Sequence, residues 1–204
     1  MRLIWHGHSC FSVEAEGYTV VFDPYADGSV PGYAPLRLSA DAVFCSHGHG
    51  DHNARELVVL SGRACPLRVE AVPCFHDERH GLLRGRNTIH ILEAEGLRLA
   101  HLGDLGHMPK GKTLERLRGL DAVMIPVGGF YTIDAKAANA LVNEIRPRVV
   151  LPMHYRLAEN GYDVISEVTD FAALRENTVT YDTDSLDLNA DTPAQTAILR
   201  YCHG

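Results

Sequence analysis

No Cys-x-x-Cys pair occurs in this chain, and its five cysteines, Cys10, Cys45, Cys65, Cys74 and Cys202, are an odd number that no closed disulfide framework uses up. A reducing, cytoplasmic setting is therefore expected. No segment approaches the roughly 20 consecutive apolar residues of a membrane span. Met1 leads straight into Leu3-Ile4-Trp5 without an apolar leader core or cleavage site, so neither secretion nor membrane insertion is expected. Basic residues are scarce: 19 Lys and Arg stand against 26 Asp and Glu, a net charge of −7 that argues against a nucleic-acid partner. No Gly-x-Ser-x-Gly elbow is present to suggest a serine nucleophile. No Ser/Pro-rich linker or low-complexity stretch divides the chain. With 46% apolar residues over 204 positions, the expectation is one domain spanning residues 1–204 around a sizeable core.

Histidine is what the chain has in abundance. The run His47-Gly48-His49-Gly50-Asp51-His52 places three imidazoles and a carboxylate within six residues. Histidines two apart can face one metal only if the chain bends tightly between them, and Gly48 and Gly50 are read as supplying that bend. Neutral imidazole and carboxylate suit a borderline ion such as zinc, and a catalytic site keeps one position for water. The run follows the apolar, strand-like Asp41-Ala42-Val43-Phe44-Cys45-Ser46, so it sits at a strand end. His76, Asp104 and His154 also follow apolar runs, 69–75, 97–102 and 149–153. Taken singly, each suits a capped turn or a core histidine as well as a ligand.

The pattern His-x-His-x-Asp-His resembles the signature of the metallo-β-lactamase superfamily. Further segments resemble its ascorbate-6-phosphate-lactonase-like hydrolase branch: Gly7-His8-Ser9-Cys10-Phe11, Phe22-Asp23-Pro24, Phe75-His76-Asp77, His101-Leu102-Gly103-Asp104-Leu105-Gly106, Pro126 to Asp134, and Pro152-Met153-His154-Tyr155. The resemblance implies an α/β fold, the αβ/βα four-layer sandwich of two mixed sheets flanked by helices. It also implies a ligand set: His47, His49 and His76 on one metal, Asp51, His52 and His154 on a second, and Asp104 bridging both.

The chemistry expected of such a site is hydrolysis by a hydroxide held between two divalent ions, with zinc the default metal and manganese or iron also compatible. Asp51, a ligand and hydrogen-bond acceptor, is the candidate to hold and pass the proton. The expected substrate is a small ester, lactone or phosphoester. Phosphorylated sugar lactones are one class in the branch, and Arg79, Arg84, Arg86, Lys110, Lys112 and Arg156 are loop cations able to pair a phosphate. Tyr131 either faces substrate or serves the turn after Gly128-Gly129. Self-association is expected on family grounds alone. A nuclease of the same superfamily, a di-iron redox protein and a non-catalytic metal-binding module are the rival readings. The acidic balance, the His49 position and the full set of seven ligands weigh against them in turn.

Other histidines are placed by context. His8 and Asp23 belong to matching segments and are candidates to orient a ligand, although a cap role suits Asp23 equally. His6, His101 and His107 lie beside site segments. His90 alternates with Ile89 and Ile91 and reads as solvent-facing, while His80 and His203 carry no argument beyond their loops. A faint repeat links Glu16-Gly17, Asp23 and Asp41-Ala42-Val43 with Glu95-Gly96, Asp104 and Asp121-Ala122-Val123: Asp41 follows Gly17 by 24 residues and Asp121 follows Gly96 by 25. Two similar halves packed face to face suit the implied sandwich. The 134–144 segment has an apolar helical stripe, Ala138, Leu141, Val142 and Ile145, capped by Thr132 or Asp134. Shorter helices are predicted around 53–60, 113–117 and 168–175, with short closing strands after Val179.

Overall fold

The computed structural model describes residues 1–202, leaving His203 outside the described residues. Strands β1 (Arg2–Gly7), β2 (Cys10–Ala15) and β3 (Tyr18–Phe22) form an antiparallel meander. A three-residue strand β4 (Leu38–Ala40) precedes β5 (Ala42–Phe44), which pairs parallel to β3, and β6 (Val58–Leu60) pairs parallel to β4. The second half begins with the long strands β7 (Arg68–Phe75) and β8 (Arg86–Ala94), then β9 (Leu97–His101). Helix α1 (Gly111–Arg116), β10 (Ala122–Pro126), α2 (Ala135–Ile145), β11 (Val149–Met153) and α3 (Val168–Ala172) follow. The closing strands are β12 (Thr178–Thr180), β13 (Ser185–Asp187) and β14 (Gln195–Ile198). They assemble into a five-stranded sheet ordered β13-β1-β2-β3-β5 and a seven-stranded sheet ordered β12-β14-β11-β10-β9-β8-β7.

The sheets share one core because strand alternation points one set of side chains from each toward the other. Leu3, Trp5, Phe11, Val13, Val20 and Phe22 of the first sheet belong to the same buried cluster as Leu92, Leu99, Ala122 and Met124, which share one face of the second. Strands β10 and β11 are buried along their whole length, as parallel strands covered on both faces must be. Helix α2 supplies the cover on one side with Ala138, Leu141, Val142 and Ile145. Fully burying each of its larger side chains contributes about 1.5–3 kcal/mol. Asp134, not Thr132, caps it, accepting the Ala137 N–H at 2.8 Å, and Arg146 ends it in the left-handed region ahead of Pro147.

The outer face of the first sheet is covered differently. Cys10 and Val21, pointing away from the shared core, pack with Tyr25, Val30, Tyr33 and Leu36 from the coil after β3. The helix expected over 53–60 is not formed: a single 3₁₀ turn at Arg55–Leu57 runs into β6, where the β-branched pair Val58-Val59 extends to pair with β4. Helix α1 starts two residues earlier than predicted and α3 stops at Ala172.

The repeat is realised in detail. Glu16-Gly17 and Glu95-Gly96 are both tight turns with positive φ at each residue. Asp41 Oδ2 accepts the Thr19 N–H at 2.9 Å and Asp121 Oδ2 accepts the Arg98 N–H at 2.9 Å, each aspartate starting a strand parallel to the one it ties. The two turns also meet: Glu95 Oε1 accepts the Glu16 N–H at 2.9 Å, and Glu16 Oε1 accepts the Glu95 N–H at 3.1 Å.

His90 corrects the solvent-facing reading. It is only 5% exposed and lies against Phe22 and Phe44, with ring centroids 5.9 and 5.6 Å away. Alternation with isoleucine marks a solvent face only when one face of the sheet is wet, and here β8 is covered on both. Burial pushes the His90 ring down to about 4, leaving it neutral. The five cysteines are all free thiols. No helix among the described residues is long and apolar enough to cross a membrane.

Candidate metal centre

Four strand ends converge on one point between the sheets. β5 delivers the histidine run, β7 ends one residue before His76, β9 ends three before Asp104, and β11 ends one before His154. His47, His49 and His76 each present a donor atom within 4.8 Å of the others, as do His8, Asp51, His52 and His154, and a third group of His47, His52 and Asp104 overlaps both. Asp104 lies in the middle: Oδ2 is 3.1 Å from His76 Nε2 and 3.3 Å from His154 Nε2, while Oδ1 is 3.2 Å from His52 Nε2. All seven residues assigned from the resemblance are thus brought together.

The bend in the histidine run has another cause than the one the sequence suggests. Gly48 and Gly50 do not take positive φ, and a methyl group on either would meet nothing within 4 Å. The run is closed by the His52 N–H to His49 O bond at 3.0 Å and by Asp23, which clamps its two ends. Asp23, fully buried, accepts the Ser46 N–H and hydroxyl, both at 2.6 Å, and lies 2.8 Å from His52 Nδ1. It orients a ring and does not cap a helix or turn. Burial alone would raise this carboxyl, but His101 and His52 hold it down at about 2.

Glycine is required elsewhere. A Cβ on Gly106 would strike the backbone carbonyl of His76 at 2.3 Å, and one on Gly128 would strike the His154 carbonyl at 2.2 Å. Two loops therefore press bare backbone onto the two strand ends that carry those imidazoles. Asn87, unremarked in the sequence, accepts the Asp104 N–H at 3.0 Å and donates to Leu102 O at 2.9 Å, fixing the loop that carries the central carboxylate.

Several buried polar atoms here have no protein hydrogen-bond partner: both ring nitrogens of His8, His52 Nε2, Asp104 Oδ1, and Nδ1 of His76 and His154. Such a concentration is costly unless a ligand satisfies it. Burial also pushes His47 down to about 3 and His8 to about 4, so both rings are neutral donors. For Asp104, burial works against ionisation, but His154 and His52 hold the carboxyl well below its usual range. Neutral rings at His47 and His8 are donors that a borderline divalent cation takes. Burial opposes the charged ring of His52 as well, but Asp104 and Asp23 hold it well above the usual imidazole range, and there a cation would take the place of a proton; the residues fit such an ion.

The centre opens into a cavity of about 320 Å³ walled by Tyr131, Tyr162, Leu83 and Arg84. Tyr131 therefore faces the site. Tyr162, which lies beyond the matching segments, donates to Asp51 Oδ2 at 3.2 Å. Of the six loop cations proposed for an anion, only Arg84 lines this cavity, its guanidinium 5.6 Å from the Tyr131 ring centroid. Arg156 is instead paired with Glu167 at 3.0 Å. The loop bearing Arg84 is built on Asp77, whose carboxylate accepts the N–H groups of Arg79, Gly81, Leu83 and Arg84 at 2.7–3.0 Å. His6 and His101 are buried and bonded to Ser12 and Ser9 O, and His107 bonds backbone at both ring nitrogens. His80 stands outside the cluster, edge-on to Phe75.

Known proteins are similar to this chain in fold and sequence. A crystal structure from Thermotoga maritima, described as a metallo-β-lactamase-superfamily protein proposed to be a Zn-dependent hydrolase, superposes with a TM-score of 0.79 at 29% identity, over 97% of each chain. A protein of Thermoplasma acidophilum named as a metal-dependent hydrolase is 26% identical over 89% of this chain and 93% of its own. One from Carboxydothermus hydrogenoformans, similarly named, is 27% identical over 76% of this chain and 84% of its own. The sequence model of the β-lactamase superfamily domain matches residues 2–154, well over half the chain. Fold, strand-end cluster and sequence match together make this chain a member of the metallo-β-lactamase superfamily.

Proposed function

We propose that this chain is a metal-dependent hydrolase that cleaves a small ester, lactone or phosphoester bond at a two-ion centre, with zinc as the resident metal. The observation that carries the reading is the position of Asp104, whose two oxygens lie 3.1–3.3 Å from ring nitrogens of His52, His76 and His154. In this reading His47, His49 and His76 would hold one ion and Asp51, His52 and His154 the other, with Asp104 available to both. Two such ions, when bound, polarise the bond under attack and make water nucleophilic near neutrality. The chain's part is to fix them and to manage protons. Asp51, kept ionised by His8 and His52 against its burial, is the acceptor at the cavity floor, and the Tyr162 hydroxyl holds its Oδ2 in place. Tyr131 and Arg84 stand where a substrate's polar groups enter. The names of the relatives support the hydrolase class.

Elemental analysis of protein purified without added metal, then turnover of a panel of lactones, thioesters, phosphodiesters and RNA, tests the proposal. Two divalent ions per chain and turnover of small esters or lactones are expected. Fewer than one ion per chain under metal-replete conditions would remove the centre. Salt-sensitive cleavage of RNA with no small-ester turnover would move the protein to the nuclease class.

A further inference from the structure

His8 is fully buried in the turn between β1 and β2, and neither of its ring nitrogens has a hydrogen-bond partner. Burying an imidazole without partners costs free energy that an apolar side chain of similar size would not. Its backbone is strained as well, with φ at 48°, in the left-handed region that a non-glycine residue seldom occupies. Both costs are borne at one residue. Among the described buried histidines near the site, His8 alone has both ring nitrogens unpartnered: His52, His76 and His154 each leave one, His6 meets Ser12 and His101 meets Ser9 O.

What surrounds His8 indicates what it serves. Its Nε2 is 3.5 Å from Asp51 Oδ2, and its ring lies 4.3 Å from that of His154 and 5.3 Å from that of His52. One donor atom from each of these four residues falls within 4.8 Å of the other three. The backbone is tied in too. His8 O accepts the His154 N–H at 3.2 Å and the Trp5 indole N–H at 3.0 Å, and His154 shares the left-handed conformation with φ at 53°. Orienting Asp51 would explain one nitrogen at best, and no well-formed hydrogen bond joins the two.

We infer that His8 is itself a protein ligand of the second ion, completing a set with Asp51, His52 and His154. The inference rests on the proposed two-ion centre and adds to it: the second ion gains a further imidazole, and the first, held by His47, His49 and His76, is left the more open to solvent and substrate. The first ion should therefore be the one that a chelator removes first.

The zinc-loaded wild-type protein provides a test without substitution. Long-range proton–nitrogen correlation spectra report which histidine rings bind metal, and six are expected: His8, His47, His49, His52, His76 and His154. Five ligated rings with His8 free would overturn the inference while leaving the two-ion reading intact. One zinc per chain with His8 ligated would do the reverse. His8→Gly and His8→Asn, both suited to positive φ, should weaken the second zinc by more than the roughly 10–100-fold expected of a residue that only orients a ligand. The first zinc should be unaffected, and added imidazole should restore the second in His8→Gly. Wild-type affinity for both ions in these variants would also overturn it.

Discussion

His52 Nδ1 lies 2.8 Å from Asp23 Oδ2, and both side chains are fully buried, so the ring that turns its Nε2 toward Asp104 is held from behind by a carboxylate. Such a partner fixes the tautomer and strengthens the imidazole as a donor. Asp23→Asn retains the shape but cannot accept from both Ser46 and His52 on the same oxygens. We expect metal affinity to fall about 10–100-fold, as is typical for this class of partner. Chelator competition measures it, and unchanged affinity would mean that the clamp is only structural.

Asp104→Asn tests the centre directly. The amide keeps the packing but removes the charge between His52, His76 and His154, so turnover should fall at least about a hundredfold, roughly 2.7 kcal/mol of barrier, with poorer metal retention. Circular dichroism should show a largely intact fold. Near-native rate with full occupancy would take Asp104 out of the mechanism.

The two close-packed glycines should behave unlike those in the histidine run. Gly106→Ala and Gly128→Ala push a methyl group into the backbone of His76 and His154, and each should cost about 1–3 kcal/mol of stability together with metal retention. Gly48→Ala and Gly50→Ala meet nothing and should be tolerated. Thermal melts of the four variants decide between these outcomes.

Asp77 gives a pH dependence. Burial would raise its carboxyl, but four backbone N–H groups hold it down at about 2. A folded value below the unfolded one, about 3.9, means that the ionised group stabilises the loop above about pH 4. That contribution is lost as pH falls through 2. Hydrogen exchange at the Leu83 and Arg84 amides should therefore accelerate in acid, and Asp77→Asn should show the acid behaviour at neutral pH. Exchange that is insensitive to both would show that the loop is held by other means.

Much was legible along the chain. The run from His47 to His52 announces a metal because no packing demand produces that density of donors, and the strand-end positions of His76, Asp104 and His154 are marked by the apolar runs before them. The repeat is visible because its turn and strand-start residues are short-range signals: a Glu-Gly turn needs positive φ, and Asp41 and Asp121 tie their own neighbouring strands. Local chemistry of this kind depends on residues close in sequence, which is why the α2 stripe also reads correctly.

What tertiary structure alone decided is every relationship between distant segments. Alternation in β8 cannot say whether its second face meets water or Phe22 and Phe44, so His90 reads as exposed until the other sheet is in place. The reciprocal bonds between Glu16 and Glu95 join turns 79 residues apart. Tyr162 reaches Asp51 across 111 residues. Gly106 and Gly128 look like ordinary loop glycines until the carbonyls of His76 and His154 lie against them. The His8 ring has no polar partner among its sequence neighbours. Its meaning comes from Asp51, His52 and His154, which packing of the two sheets brings around it, because a donor set is defined by distance in space and the chain specifies that distance only once it is folded.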